Sequence, residues 1–253
     1  MNRSPSAIPI RSNHERQTMH QKIGIIGGLS PESTVSYYLH ITRAYTERFG
    51  DYGYPEILIY SVNLEQYHQW RSAGRWDCVA AGLIAAAHSL QAAGADFGLI
   101  ATNTMHKVFD DVQCAVDLPL LHIIDVTIAS IQQQGLKTVG LLGTLSTMSD
   151  TFYTDRLTAN GLTPLVPTAE EQAVIHQVIV DELVRGCLRE ASKQRYLAII
   201  QRLKAQGAEG IILGCTEIPL LIQPDDCDLP LFDTAILHAE AALARAMTLA
   251  NGR

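Results

Sequence analysis

The chain lacks a long hydrophobic run, a basic cluster and a cysteine or histidine framework, and each absence narrows its function. No apolar stretch in the 253 residues approaches the ~18–20 needed to cross a bilayer. Lysine and arginine total 19 against 26 aspartates and glutamates, for a net charge of -7. Without Lys/Arg clusters, that balance argues against nucleic acid as the main partner. The five cysteines (Cys78, Cys114, Cys187, Cys215, Cys227) are odd in number and show neither CxxC nor zinc-ligand spacing. They suit reduced thiols in a cytoplasm rather than a disulfide framework. None of the nine histidines falls in an HxH or HExxH pattern. What remains, 47% hydrophobic and 18% charged, fits a soluble globular enzyme or binding protein with a substantial core.

Residues 1–20 are polar, carry Pro5 and Pro9, and contain no apolar core of signal-peptide length. They read as a disordered tail, or as sequence ahead of an alternative start at Met19. The fold is expected to begin at Lys22. Ile23-Gly24-Ile25-Ile26 reads as a short buried strand, and Gly27-Gly28-Leu29-Ser30-Pro31-Glu32 as the turn into a helix ending near Arg48. Glycines, Ser and Pro-Glu suit a helix N-terminus, whose free N–H groups attract a small carboxylate. The glycines do not make GxGxxG, so a dinucleotide is not expected here.

The chain repeats itself. Gly207-Ala208-Glu209-Gly210-Ile211-Ile212-Leu213-Gly214-Cys215 has the form of a strand buried in a parallel sheet, whose carboxyl end is where such sheets bind ligands. Gly94 to Thr102 aligns with it without a gap, placing Thr102 on Cys215. Val139 to Ser146 matches Ile23 to Ser30, and Asp117-Leu118-Pro119-Leu120 matches Asp228-Leu229-Pro230-Leu231. The offsets are 113, 116 and 111. Three ordered matches at nearly one offset indicate two homologous halves, and the intervening βαβα pattern predicts parallel sheets. Strands are expected over 56–62 and 229–232, and helices over 77–93, 125–134, 150–160, 171–185 and 193–206. The expected architecture is α/β: two pseudo-symmetric parallel-sheet domains with a site in the cleft between them. Residues 21–118 with 229–253 would form the first lobe and 119–228 the second, the last helix returning to the first lobe.

Gly27-Gly28-Leu29-Ser30, Thr102-Asn103-Thr104-Met105-His106, Gly143-Thr144 and Gly214-Cys215-Thr216-Glu217 resemble the motifs of the aspartate/glutamate racemases, in order from about Lys22 to Asp233. The resemblance implies an enzyme without cofactor that acts on L-aspartate or L-glutamate and assembles as a homodimer. It implies a two-base mechanism, with one thiol from each half on opposite faces of the substrate Cα. A thiol of pKa ~8.5 is easily poised as such a base by nearby N–H dipoles or cations, and strand-end donors would hold the carbanion's carboxylate. Here the first thiol is replaced by Thr102, whose hydroxyl can donate or relay a proton but is a poor base. Cys215 should therefore act on the L enantiomer while D substrates react slowly, as in the L-aspartate/glutamate-preferring racemases that this Thr-Asn-Thr-Met-His-Lys stretch resembles.

For the substrate carboxylate the resemblance implies Ser30, Asn103, Thr104, Thr144, Thr147 and Thr216, with helix capping as the competing role for each. An arginine for the distal carboxylate is expected in the loop-like stretch 69–76, as Arg71 or Arg75. Relatives often carry a second cation near the start of the helix at Glu171, and Glu170 to Val174 offers none. His106 is expected to line the cleft or cap a helix, and His238 to lie near the site on the last helix. The other four cysteines read as structural. Two alternatives remain: a single-cysteine decarboxylase or isomerase of the same superfamily, and a non-catalytic binder of acidic metabolites.

Overall fold

The structure, a computed structural model, describes residues 20–248; all but the last residue of the expected tail at 1–20 lie outside the described residues. The first half runs β1 (Ile23–Gly27), α1 (Pro31–Phe49), β2 (Ile57–Ser61), α2 (Leu64–Ser72), α3 (Trp76–Ala92), β3 (Phe97–Ile100), a 3₁₀ turn (Thr104–Val108), α4 (Phe109–Ala115), β4 (Leu120–Leu121) and α5 (Ile123–Gln133). The second runs β5 (Thr138–Gly143), α6 (Leu145–Ser149), α7 (Thr151–Ala159), β6 (Thr163–Leu165), α8 (Ala169–Asp181), α9 (Glu190–Ala205), β7 (Gly210–Gly214), α10 (Ile218–Leu221), β8 (Leu231–Asp233) and α11 (Thr234–Met247).

Each half builds one all-parallel sheet, in the orders β2-β1-β3-β4 and β6-β5-β7-β8. Their central pairs are in equivalent register, Ile25 opposite Leu99 and Leu141 opposite Ile212. All four central strands are buried along their length apart from Thr138 at the start of β5, which is why they read as continuous apolar runs. Two α/β domains with a parallel sheet each are thus present, as the repeat predicted.

The helices that follow the edge strands change lobes. Ile123, Ile124, Ile128 and Ile131 of α5 share a buried cluster with Val139, Leu141 and Ile212 of the second sheet. In α11 the small residues Ala235, Ala239, Ala242 and Ala246 fall on one helical face and pack with Ile23, Ile25, Phe97 and Leu99 of the first sheet. The exchange is pinned at His238, which is fully buried: Nε2–H donates to the Leu121 carbonyl (3.0 Å), so Nδ1 accepts from the Tyr37 hydroxyl (2.9 Å).

The strand boundaries correct the expected lobes. Leu120–Leu121 pairs with β3 and Leu231–Asp233 pairs with β7, so each edge strand belongs to the half before it rather than the half after it. The two strands begin after Pro119 and Pro230, whose carbonyls accept the first ladder bonds from Gly98 and Ile211 (2.9 Å each). A second correction concerns the loop-like stretch expected over 69–76, whose first four residues are the end of helix α2 (Leu64–Ser72). Asn63 caps it by accepting from the Glu65 and Gln66 N–H groups, and Gly74 at φ +68° ends it.

Candidate active site

The carboxyl ends of β1, β3, β5 and β7 converge on a cavity of about 180 Å³ between the lobes. At ~30 Å³ per water, that is space for about six waters, the scale of a small amino acid. Thr102, Asn103 and Thr104 follow β3 into it; Cys215, Thr216 and Glu217 follow β7. Ser30 and Thr144 enter from the turns after β1 and β5, and Arg71 from α2.

On the first lobe, the Thr102 N–H donates to the Ile100 carbonyl (2.8 Å), and the Thr102 carbonyl accepts Nδ1–H of His106 (2.8 Å). That bond fixes the His106 tautomer, leaving Nε2 to accept the N–H of Ile123 (3.2 Å). His106 does not line the cavity. It ties the Thr102 turn to the start of α5, and its ring stacks on Phe109 (5.3 Å between centroids). Burial, with the charge of neighbouring histidines against it, holds this imidazole well below its ordinary pKa, so it is neutral. The Thr102 hydroxyl itself has no partner among the described residues and is half-buried.

On the second lobe, Cys215 is 7% exposed and donates its S–H to Glu217 Oε2 (2.9 Å). The Thr216 hydroxyl donates to the same oxygen (2.9 Å), and Ser33 Oγ, in contact with Thr216 at 2.6 Å, therefore donates to Thr216. Ser30 Oγ lies 3.3 Å from Glu217 Oε1 and 3.1 Å from Glu32 Oε2, so its one proton serves one carboxylate at a time. Burial first, and then the Glu217 charge, push the Cys215 thiol well above its ordinary pKa; the Glu217 and Thr216 N–H groups oppose this and lose. Against the expectation of a thiol poised low by dipoles, these surroundings hold Cys215 in its protonated form.

The two lobes meet through Ser33–Thr216 and, across the cavity, through Thr104–Thr144 (3.2 Å). Thr147 does not line the cavity. It is fully buried behind Gly143, within 3.0 Å of the Thr144 hydroxyl, and orients that hydroxyl. Ser30 and Thr144 do cap helices, accepting the N–H three residues on (3.4 Å each). They are structural equivalents even though the ungapped match pairs Ser30 with Ser146, because the first turn carries two more residues than the second. Asn103 caps nothing: its Nδ2 donates to Thr234 (2.9 Å).

Arg71 is half-buried at the cavity with no ion pair among the described residues, and burial lowers its pKa without removing the charge. Arg75 is exposed, forks onto Asp77 through Nε (2.8 Å) and Nη2 (2.6 Å), and does not reach the cavity. Two histidines flank Arg71: His68, one turn back on α2, and His176 on α8. Both have lowered pKa values, from burial first and the Arg71 charge second. His176 Nδ1 accepts the Leu145 N–H (3.4 Å), leaving Nε2 as the donor.

His176 was missed by looking only at the first residues of the helix. Gln172, His176 and Ile179 share the inward face at helical spacing, and that period was the available signal. His238 and the four other cysteines lie away from the cavity, and Cys114 and Cys187 are exposed. Among the described residues no cluster of His, Cys, Asp and Glu could hold a metal ion, and no helix is long and apolar enough to cross a membrane.

Comparison with known proteins agrees with this geometry. The chain is 28% identical over 232 residues to the broad specificity amino-acid racemase RacX of Bacillus subtilis (strain 168), covering 88% of this chain and 96% of that protein. A crystal structure of a candidate Asp/Glu racemase from Yersinia pestis shares 42% identity with a TM-score of 0.86, covering 90% of this chain and all (100%) of that one. An aspartate racemase homologue from Pyrococcus horikoshii OT3 shares 40% identity with a TM-score of 0.79, covering 89% and 99%. Residues 26–242 match the family described as Asp/Glu/Hydantoin racemase. With the match running from the first strand to the last helix, this chain belongs to the Asp/Glu/hydantoin racemase family.

Proposed function

We propose that this protein is a cofactor-independent amino-acid racemase acting on L-aspartate or L-glutamate, with Cys215 as the base on one face of the substrate and Thr102 on the other. The observation that carries the reading is that the residues following two equivalent strands line one small cavity, and only one of them is a thiol. Arg71, cationic and unpaired among the described residues, is the contact for the side-chain carboxylate, with His176 as the second donor. The hydroxyls of Thr104 and Thr144 serve the α-carboxylate, whose oxygens carry the charge of the carbanion. Thr216 joins them once Glu217 has taken up the Cys215 proton and no longer holds the Thr216 hydroxyl as strongly.

Cys215 must lose its proton before it can take one from Cα. Glu217 already accepts the S–H bond and is the group placed to receive that proton. The resulting thiolate removes the α-proton of the L substrate. Return of a proton from the Thr102 hydroxyl to the opposite face gives the D form, with the hydroxyl restored from water. The reverse reaction asks a hydroxyl to act as base, so D substrates are slow to exchange. We place the enzyme in the cytoplasm, where its five free thiols stay reduced, and as a homodimer, which sedimentation would test.

The test is loss of the α-proton signal of L- and D-aspartate and of L- and D-glutamate in D₂O, followed by proton NMR. Exchange of an L form, abolished by Cys215→Ala and much slower for its D partner, supports the reading; equal exchange of both enantiomers refutes it. A second reading is favoured by the protonated state of Cys215: a thiol ready to deliver a proton suits a single-cysteine decarboxylase or isomerase. That reading requires turnover of a substrate with no α-proton, lost on alkylation of Cys215. A pure binder of acidic metabolites would have no turnover to lose.

A further inference from the structure

One polar atom at the site is left over. Asn103 is 3% exposed, lines the cavity, and its Oδ1 is buried without a hydrogen-bond partner among the described residues. A buried acceptor without a donor is rare in folded proteins and calls for a partner that arrives later. Its orientation is not free. Thr234, fully buried where β8 turns into α11, donates its single hydroxyl proton to the Leu213 carbonyl (3.0 Å). With that proton committed, Thr234 Oγ1 can only accept from Asn103, and the group it faces at 2.9 Å must be the NH₂. A flipped amide would set two acceptors against each other. The carbonyl oxygen is therefore locked on the opposite side of the amide, and stays an acceptor.

We infer that Thr234 is a positioning residue that locks the Asn103 amide with its carbonyl reserved for a cationic donor of the substrate, the α-ammonium group. This rests on the amino-acid reading above and deepens it. Among the other side chains lining the cavity, Arg71 and His176 offer only donors, and the hydroxyls of Thr104, Thr144 and Thr216 are engaged with one another or with Glu217 and Ser33. Glu32 is exposed and within reach of Ser30, and the Thr102 hydroxyl is assigned to the reacting face. Glu217 offers negative charge but is occupied by three potential donors. Asn103 Oδ1 adds a short-range, directional requirement for an N–H on the bound molecule. The lock also ties recognition to the lobe crossing, because Thr234 belongs to the second sheet's exit and Asn103 to the first sheet's turn.

The test compares each amino diacid with the diacid that lacks only its ammonium: L-glutamate against glutarate and L-aspartate against succinate, by isothermal titration calorimetry. Wild type is expected to bind at least one amino diacid about tenfold tighter or more than its des-amino partner, the scale of one charge-assisted hydrogen bond. Thr234→Val keeps the shape and removes the hydroxyl; it should reduce that ratio to about threefold or less while leaving the diacid affinity unchanged, and Thr234→Ser should restore it. If Thr234→Val does not fold, Asn103→Leu is measured on the same pairs, with the same loss of ratio expected. The inference is overturned if wild type does not prefer the amino diacids, or if the variants weaken diacid and amino diacid alike or weaken neither. Exchange of α-protons is recorded on the same samples. A protein that discriminates for the ammonium but exchanges nothing refutes the racemase reading and keeps this one; exchange without discrimination does the reverse.

Discussion

Replacing Thr102 by cysteine should give the first lobe a base. The site is prepared for it: the Thr102 side chain has no partner among the described residues, and its turn is held by the Thr102 N–H on the Ile100 carbonyl and by the His106 imidazole on the Thr102 carbonyl, which the substitution leaves alone. The stability cost should stay within about 1 kcal/mol, as for changes that remove no buried contact. A thiol at 102 would also feel less of what raises Cys215: position 102 is half-buried where Cys215 is buried, and the repeat places Thr104, not a carboxylate, where Glu217 stands in the second lobe. At pH 8 a thiol of pKa ~8.5 is about one-quarter thiolate, whereas a hydroxyl, a far weaker acid, offers almost no alkoxide. A positioned general base contributes typically ~10²–10⁴-fold. Exchange of the D enantiomer's α-proton in D₂O should therefore rise by about 10²–10⁴-fold in Thr102→Cys, while L exchange, which depends on Cys215, stays within about threefold. A folded Thr102→Cys protein whose D exchange remains at the wild-type level would refute the assignment of Thr102 to the opposite face.

Three other outcomes follow from the site and its supports. Cys215 is basic only when its raised pKa is overcome, by Glu217 taking the proton or by rising pH. Glu217→Gln removes the charge that helps raise that pKa and also the proton acceptor, so the climb of L exchange with pH should move to lower pH while exchange at its plateau falls. A plateau left at the wild-type level would contradict the proton-accepting role of Glu217. Arg71→Leu should raise the KM for L-aspartate or L-glutamate at least tenfold, the equivalent of about 1.5–3 kcal/mol for a hydrogen bond to a charged group, and His176→Ala by less. Neither should alter binding of a neutral amino acid, and an unchanged KM in Arg71→Leu would remove it from the carboxylate contact. The third concerns stability. His238 has its pKa held down to about 4 by burial, against about 6.5 when unfolded, so the unfolded chain takes up the proton first. Its contribution is full above about pH 6.5 and is lost as pH falls toward about 4, some 3 kcal/mol in all. His106 and His122 act in the same direction. The urea midpoint should fall between pH 7 and pH 4.5, and fall less in His238→Gln; an equal fall in both would show that His238 is not the group responsible.

How much of this was legible in the sequence depended on whether a feature repeats. The central strands announced themselves because all four are buried apolar runs at nearly constant offset, and Thr102 and Cys215 were paired by that offset alone. Of the two short edge strands after a proline, 229–232 was expected as a strand but assigned to the other lobe, and 120–121 was not expected, since proline gives no N–H to a ladder; the proline carbonyls make the pairing, and sequence does not display it. Helix α2 was unreadable as a helix because only Tyr67 in it is buried, so it has almost no apolar period. The Leu-Ser pairs at 29–30 and 145–146 matched by letter and differ in place, the first turn being longer. Thr234 took its importance from its bond to Asn103 across the lobes, which no local pattern encodes. The period of α8 pointed to His176 and the Gly-Cys-Thr-Glu stretch to Glu217, but not to their facing Arg71 and Ser30.

The two lobes share a fold and differ at three residues where it matters, Thr-Asn-Thr after β3 and Cys-Thr-Glu after β7, and that difference constrains the kinetics further than a preference for L substrates suggests. In water the enantiomers have equal free energy, so racemisation has an equilibrium constant of unity, and kcat/KM for L to D must equal kcat/KM for D to L whatever the site contains. One-sided chemistry cannot appear as unequal racemisation at low substrate concentration. It can appear as exchange without inversion. If Cys215 removes the L proton rapidly and the slow step is always at Thr102, the carbanion is mostly re-protonated by Cys215, and solvent deuterium enters L substrate far more often than D product forms. Starting from the D form, the first step is the slow one, so each exchange is expected to be accompanied by inversion. The ratio of deuterium incorporation to inversion should then be large from L and close to one from D, and Thr102→Cys should raise racemisation equally in both directions while pulling the L ratio down toward one. A wild-type ratio near one from both sides would mean that the two faces are matched, and that a hydroxyl in this cavity is as good a base as a thiol.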